Sequence, residues 1–401
     1  MREQPVPPRL TRAELIRRRE TLCHELKARS LDALCLFSPT QVFYLTGFAF
    51  IATERPIAAL AFPKSGDVSL FVPLLEREHA ADAHADEVIT YDEYPGKRHP
   101  MAQLADALTA HGRNARRIGV DSDGYGGGYG YAGPRLGELV SGEIVVCREI
   151  IERAMRVKSV EEVALIREAC RWGDLAHRLL QSYCTPGATE TDVSLRASRE
   201  ASAEMIAALG PGFRPLRGEA LPATAGFRGQ IGADSAVPHA MASNAVMRRG
   251  DVLVTGAGAE VGGYLSELER TMILGQPTAE QRRLFGLMLE IQSLAIDAIR
   301  PGVRCCDIDE ATLAFYREHG LMDTWRHHTG HSIGYGMHEA PFLDVGDDTR
   351  LEAGMVLTVE PGIYVPGFAG FRHSDTVLVT DRGAELLTAY PRDIEHLIVA
   401  C

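Results

Sequence analysis

Four short motifs in the second half of the chain set chemistry-bearing side chains into glycine- and proline-marked turns. They are His328-Thr329-Gly330-His331-Ser332-Ile333-Gly334, His338-Glu339-Ala340-Pro341, Glu360-Pro361-Gly362 and Phe371-Arg372-His373-Ser374-Asp375-Thr376. Glu360 ends the apolar run Met355–Val359, and a carboxylate at the end of a buried strand seldom lacks a partner. Upstream, Ser266-Glu267-Leu268-Glu269-Arg270-Thr271 reads as strand-like after Gly262-Gly263-Tyr264. Residues two apart on a strand share a face, so Glu267 and Glu269 are expected to point the same way. Two carboxylates on one face repel unless a cation lies between them or one keeps its proton. Together with His239, His331 and His338, each in such a turn, these carboxylates point to a site rather than to isolated structural residues. The plainer readings are a solvated strand face for Glu267 and Glu269, and a structural partner such as Arg372 for Glu360.

The rest of the chain reads as two domains of mixed α/β (α+β) character. Thr11-Arg12-Ala13-Glu14 is a capping box opening a helix to about Ala28. Apolar strand-like runs at Ala33–Phe37, Ile57–Phe62, Val68–Val72 and Arg117–Val120 alternate with a helical stretch at Met101–His111. Gly124-Tyr125-Gly126-Gly127-Gly128-Tyr129 has no Lys and reads as a loop rather than a phosphate cradle. Arg153–Lys158 reads as a polar link, and Ser159-Val160-Glu161-Glu162 as a second capping box before a long amphipathic helix to about Tyr183. The domains are thus 1–156 and 157–401.

The second domain carries an internal repeat. Pro186-Gly187 ends one helix with Asp192 following, and Pro301-Gly302 ends another with Asp307 at the same offset. Gly250-Asp251-Val252-Leu253-Val254-Thr255 likewise resembles Gly354-Met355-Val356-Leu357-Thr358-Val359. A duplicated ααβ-type half with the site between the halves explains why candidate site residues come from both.

Charge and cysteine usage narrow the partners. A formal charge of -12 argues against nucleic acid, which needs clustered Lys and Arg. The one basic run, Arg17-Arg18-Arg19, sits in a helical pattern beside Glu14 and Glu20 and reads as a solvated face. Eight cysteines without a short CxxC, no apolar stretch near Met1–Leu10 and no apolar run long enough for a membrane span suggest free thiols in a cytoplasmic setting.

In this order the motifs resemble the pita-bread hydrolases: methionine aminopeptidase, Xaa-Pro aminopeptidase, prolidase and creatinase. Tyr44-Leu45-Thr46-Gly47-Phe48 adds a likeness to the N-terminal domain of prolidase and creatinase. The resemblance implies a creatinase-like N-terminal α/β domain followed by a pita-bread catalytic domain. It also implies a two-metal centre of two Asp, one His and two Glu. Glu267, His331 and Glu360 match three of these ligands, but the first Asp position holds Gly256 and the last Glu position holds Ser374. Asp375 and His373 are poor substitutes, because neighbours on a strand face opposite sides. His239 and His338 match two histidines that hold substrate and move protons.

Two missing ligands turn the expectation away from a dinuclear centre. Within the resemblance, creatinase works without metal, and Glu269 matches a carboxylate of creatinase where the peptidases usually have Thr. Arg55 matches an arginine that creatinase sends across a homodimer to its substrate. The second such arginine falls on Phe342, and a neighbouring aromatic on Thr53, so the substrate is not expected to be creatine. The expected activity is therefore a hydrolase of a C–N bond in a small amide, amidine or dipeptide-like substrate, with no cofactor. His239, Glu269, Glu360 and His338 are its catalytic residues, and Arg55, Glu267 and His331 bind the substrate. One alternative is a divergent Xaa-Pro dipeptidase or aminopeptidase with a single divalent metal, manganese or zinc, on Glu267, His331 and Glu360. The other is a catalytically dead binding protein.

Overall fold

A computed structural model describes residues 8–112, 115–126, 130–217 and 221–401. The first seven residues and Gly127–Tyr129 of the glycine-tyrosine segment lie outside the described residues. The chain forms two compact units, one built on Leu10–Met155, the other drawn from Arg156–Pro215 and residues 221–401.

The N-terminal unit runs α1 (Arg12–Ala28), β1 (Ala33–Leu36), α2 (Pro39–Thr46), β2 (Ala58–Phe62), β3 (Asp67–Pro73), α3 (Arg77–Ala80), β4 (Glu87–Tyr91), α4 (Pro100–Gly112), β5 (Arg117–Val120), β6 (Glu143–Val146) and α5 (Glu149–Arg156). Its strands form one mixed sheet in the order β4-β3-β2-β1-β5-β6, with β1 parallel to β5 and antiparallel to β2. Every residue of β1 is buried, because helices cover both faces. Leu34 and Leu36 join Leu22 and Leu26 of α1 in one core, while Ala33 and Cys35 join Met101, Leu104 and Leu108 of α4 in the other. Thr11 caps α1 as expected, accepting from the Glu14 N–H at 3.2 Å. The basic run on α1 is not wholly a solvated face. Arg18 is 2% exposed, hydrogen-bonds the Glu14 carboxylate and the Tyr44 carbonyl, and stacks its guanidinium 4.2 Å from the Tyr44 ring centre. A planar guanidinium can be buried in this way when its donors find partners.

The C-terminal unit continues with α6 (Val160–Tyr183), α7 (Glu190–Leu209), β7 (Ala223–Gly226), β8 (Val252–Val254), β9 (Gly256–Val261), β10 (Tyr264–Leu265), β11 (Leu268–Glu269), β12 (Thr271–Leu274), α8 (Ala279–Ala298) and α9 (Cys305–Glu318). It ends with β13 (Gly330–Ser332), β14 (Glu339–Leu343), β15 (Val356–Val359), β16 (Gly362–Val365), β17 (Ala369–Arg372), β18 (Ser374–Thr380), β19 (Gly383–Leu386), α10 (Ile394–Leu397) and β20 (Ile398–Val399). A nine-stranded antiparallel sheet runs β10-β9-β11-β18-β15-β13-β14, with β7 beside β9 and β19 beside β18. Helices α6 and α7 pack on the β7–β9 half, and α8 and α9 on the β13–β15 half. Both halves of the Ser159 capping box form at the start of α6.

The internal repeat appears in the hydrogen bonds. Gly187 donates to Met247 and Met247 to Ala188; in the other half Gly302 donates to Leu351 and Leu351 to Val303. The Pro-Gly turns therefore close both halves on equivalent strand entries. Extending the register that equates Gly250 with Gly354 makes Gly256 the counterpart of Glu360. Each stands just beyond its repeat's matching strand.

The expected strand through Ser266–Thr271 is broken. Only Leu268 and Glu269 pair as β11, flanked by β10 and β12. Around Glu267 the Thr376 hydroxyl takes over the backbone bonds, accepting from the Glu267 N–H at 3.0 Å and donating to its carbonyl at 2.8 Å. Arg153–Lys158 is likewise more than a polar link. Lys158 is buried, and its Nζ lies 2.9 Å from Glu339 and 3.1 Å from Ser332 Oγ.

Candidate active site

Three short segments deliver one cluster of donors. Strand β15 is wholly buried and releases Glu360 at its end, where the Glu360 N–H donates to the Thr329 carbonyl at 2.8 Å. Beside it, β13 carries His331. Gly330 is required there, because a Cβ would sit 2.1 Å from the Thr358 carbonyl oxygen. Glu267 enters from the β10–β11 break, its Oε1 accepting from Ser374 Oγ at 2.7 Å. Ligand-type atoms of Glu267, His331 and Glu360 all lie within 4.8 Å of one another.

The imidazole of His331 defines what this cluster can bind. Its Nδ1 lies 3.0 Å from the Ser332 carbonyl, which fixes the proton on that nitrogen in the neutral ring. Its Nε2 is buried 3.1 Å from Glu360 Oε1 and 3.9 Å from Glu267 Oε2, without the alignment of a hydrogen bond to either. Nε2 thus faces two carboxylates, an arrangement that calls for a proton or a cation on that nitrogen. Proton balance reflects the crowding. Burial, then the charges of Glu360 and Glu269, push the Glu267 carboxyl up to about 8. Burial opposes ionisation of Glu360 and His331, yet their closeness outweighs it, holding the Glu360 carboxyl low and the His331 ring high.

Glu269 belongs to a second constellation. Both its oxygens receive the Arg372 guanidinium, Oε1 at 2.7 Å from Nη2, in a pair that is nearly inaccessible to solvent. Arg372 is further held by Tyr364 Oη at 3.0 Å, and Tyr364 Oη lies 2.8 Å from His327 Nε2. Arg372 thus pairs with Glu269, where the plainer sequence reading had placed Glu360. Glu269 is 6% exposed, so that reading's solvated strand face does not form. A Cβ built on Gly256 would lie 3.7 Å from Glu269 Oε1, so the Glu269 carboxylate stands beside the place where a side chain at 256 would begin.

The remaining expected residues distribute as follows. His338 is exposed and stacks on His331 with ring centres 3.9 Å apart, and His239 is also exposed. His373 is turned away, fully buried with its ring edge-on to Phe285. Asp375 faces Arg270, Gln292 and Thr388 instead of the cluster, in keeping with strand alternation. Arg55 lies in the N-terminal unit, paired with Glu54 and Glu93.

Sequence reasoning missed four residues of these constellations. Ser374, read only as a lost ligand, hydrogen-bonds Glu267, and its place in Arg-His-Ser-Asp-Thr is the signal that could have found it. Tyr364 stands in no motif, and the partners of Lys158 are distant in sequence. Arg228 approaches Glu269 Oε1 to 3.6 Å from a positive-φ turn that the sequence does not announce.

A model of metallopeptidase family M24 matches residues 164–381, and one of the creatinase/prolidase N-terminal domain matches residues 18–154. The chain is 29% identical to an Xaa-Pro dipeptidase of Pyrococcus furiosus over 94% of its own length and 99% of that protein. Among solved structures it is similar to an Xaa-Pro dipeptidase from Bacillus anthracis, with TM-score 0.79 and 25% identity, covering 96% of this chain and 99% of that one. It is also similar to the prolidase from Pyrococcus horikoshii, with TM-score 0.77 and 25% identity, covering 94% and 99%. Among the described residues no helix is long and apolar enough to cross a membrane.

Proposed function

Because the chain belongs to metallopeptidase family M24, we propose that it is an Xaa-Pro dipeptidase using one divalent cation on Glu267, His331 and Glu360. The carrying observation is the buried His331 Nε2, aimed between two carboxylates without a hydrogen-bond partner while Nδ1 is tied to a backbone carbonyl. Two carboxylates and an imidazole whose ring is oriented by a backbone carbonyl are a donor set that suits a divalent metal. A second ion is not supported, since Gly256 offers no donor and Ser374 Oγ is turned to Glu267. The metal-free, cofactor-free route expected from the lost ligands loses its main support. It needs Glu269 open to a cationic substrate, and Glu269 is bound through both oxygens by Arg372.

In hydrolysis, water adds to the scissile carbonyl carbon, the C–N bond breaks and the departing nitrogen takes a proton. A bound divalent ion supplies Lewis acidity for the first step. Glu267 and Glu360 offset its two charges, and neutral His331 completes the set. We read His239 and His338, both exposed, as the groups that hold the peptide and pass a proton to the leaving nitrogen. We read the working form as a homodimer with Arg55 contributed in trans, and Arg55→Ala should then weaken substrate binding.

The test is turnover of Ala-Pro by purified protein with and without manganese. Activity that EDTA abolishes and manganese restores supports the reading. Chelator-resistant hydrolysis, or hydrolysis confined to guanidino compounds, overturns it. In parallel, manganese should raise the melting temperature of the native chain and leave that of His331→Ala unchanged.

A further inference from the structure

Phe227-Arg228-Gly229-Gln230 is a tight turn in which the Gln230 N–H donates to the Phe227 carbonyl at 2.9 Å. Both central residues have positive φ, +50° at Arg228 and +76° at Gly229. Two successive positive φ values are the signature of the type I′ turn, which favours Gly, Asn or Asp at its first central position. Arg228 is a poor residue for this backbone, and strain of this kind concentrates at functional sites.

The surroundings leave the turn little freedom to relax. The Gly229 N–H donates to the buried Glu190 carboxylate, whose other oxygen accepts from Ser243 N at 2.9 Å. A Cβ on Gly229 would sit 2.1 Å from the Met241 carbonyl oxygen. On the far side the Val254 N–H donates to the Gln230 carbonyl. The scaffold therefore holds Arg228 in a conformation its own side chain disfavours.

What this placement achieves is electrostatic. The Arg228 side chain is 55% exposed, with Nη2 3.6 Å from Glu269 Oε1. Glu269 is already neutralised by Arg372, so the three groups together carry one net positive charge. Ser374, the register partner of Glu269 on β18, donates to the Glu267 carboxylate at 2.7 Å, so Glu269 adjoins Glu267. A solvent-facing guanidinium thus stands one carboxylate away from the donor cluster.

From this geometry we infer that Arg228 receives the terminal carboxylate of the peptide and restricts the site to dipeptides. The inference rests on the dipeptidase reading above. In a dipeptide only one α-carbon separates the scissile amide from the terminal carboxylate, so its receptor must adjoin the cluster. A guanidinium meets a carboxylate with paired hydrogen bonds. Arg228 touches no reacting atom, so its role is to position the substrate and select it by its charge.

The test compares Ala-Pro with Ala-Pro amide on the manganese-loaded native enzyme and on Arg228→Gln, Arg228→Lys and Arg228→Gly. Arg228→Gln should raise KM for Ala-Pro about tenfold or more, the worth of a charged hydrogen bond, with kcat little changed. It should leave KM for the amide alone. Arg228→Lys should restore part of the preference for the acid. Arg228→Gly relieves the backbone, so it should melt higher than the native chain while losing that preference, a combination that a purely structural role does not produce. Equal effects on acid and amide, or no effect on either, overturn the inference and leave the dipeptidase reading standing. Calorimetric titration of both compounds in EDTA separates the two in the other direction. An Arg228-dependent preference for the acid without turnover of any dipeptide keeps the carboxylate receptor and removes the peptidase. Absence of any acid preference in the native chain removes the receptor.

Discussion

Arg372 grips Glu269 through both carboxylate oxygens, and Glu269 Oε1 stands 3.7 Å from the position a Cβ would take on Gly256. A buried carboxylate and its guanidinium thus stand beside the place where a side chain at 256 would put another donor. Native protein should therefore bind one manganese per chain, as measured by elemental analysis after equilibration. Moving the carboxylate from 269 to 256 and adding the other absent donor, in a Gly256→Asp, Ser374→Glu, Glu269→Thr variant, should raise the stoichiometry to two. Two ions on the native chain would end the single-metal reading. A triple variant that still binds one would show that this ion pair is not what keeps a second ion out.

The same pair makes an asymmetric stability prediction. Removing one member of a buried ion pair leaves an uncompensated charge and costs about 3–5 kcal/mol, whereas removing both can be nearly neutral. Arg372→Met should lower stability by about that amount. A Glu269→Gln, Arg372→Met double variant should recover much of the loss. Urea titrations of the native chain, Glu269→Gln, Arg372→Met and the double variant measure it. Additive losses in the double variant would mean that the two residues act independently.

The sequence disclosed the donors of this site better than their partners. Glu267, His331 and Glu360 lie in short motifs whose turn residues mark where strands end, and the repeat predicted that both halves would contribute. Glu269 was legible as a carboxylate, but its pairing with Arg372 was not, because only the register of β11 against β18 brings positions so far apart together. Arg228 was invisible for another reason. Its position depends on two consecutive positive φ angles, and Phe-Arg-Gly-Gln has no Asn or Asp to mark such a turn.

Buried histidines behind the site predict an acid-sensitive fold. Burial and the Arg270 charge push the His177 ring down to about 3, and burial with Arg270, Arg392 and His177 holds His373 well below its usual range. Both are neutral when folded and charge when unfolded. Their contribution is therefore intact above pH ~6.5 and is lost as pH falls below it, each by about 1.4 kcal/mol per pH unit. Asp174 acts oppositely. Burial raises its carboxyl to about 6, so the folded state gains relative stability between pH ~6 and ~4. The net expectation for these three is a loss of about 1.4 kcal/mol per pH unit across that interval. His373 makes no hydrogen bond through either ring nitrogen, so His373→Leu should remove its share of the slope at little cost at pH 7.5. Urea unfolding between pH 7.5 and 4.5 checks this, and an unchanged slope in the variant would exclude His373 as a source.

Lys158 and Glu339 form another buried pair whose loss should be felt at the site. Lys158 Nζ reaches Glu339 and Ser332 Oγ, with its side chain 1% exposed, and Glu339 Oε1 also accepts from the Gly336 N–H at 2.6 Å. Ser332 follows His331 and Glu339 follows His338, so one ammonium ties together the two segments whose rings stack. Lys158→Met should cost about 3–5 kcal/mol, because the Glu339 charge would stay buried without its partner. It should also lower kcat on Ala-Pro at saturating manganese more than it weakens manganese binding, since His338 loses its support while Glu267, His331 and Glu360 remain. Adding Glu339→Gln should restore most of the stability without restoring kcat. Stability and turnover recovering together would mean that the pair serves folding alone and has no part in holding His338.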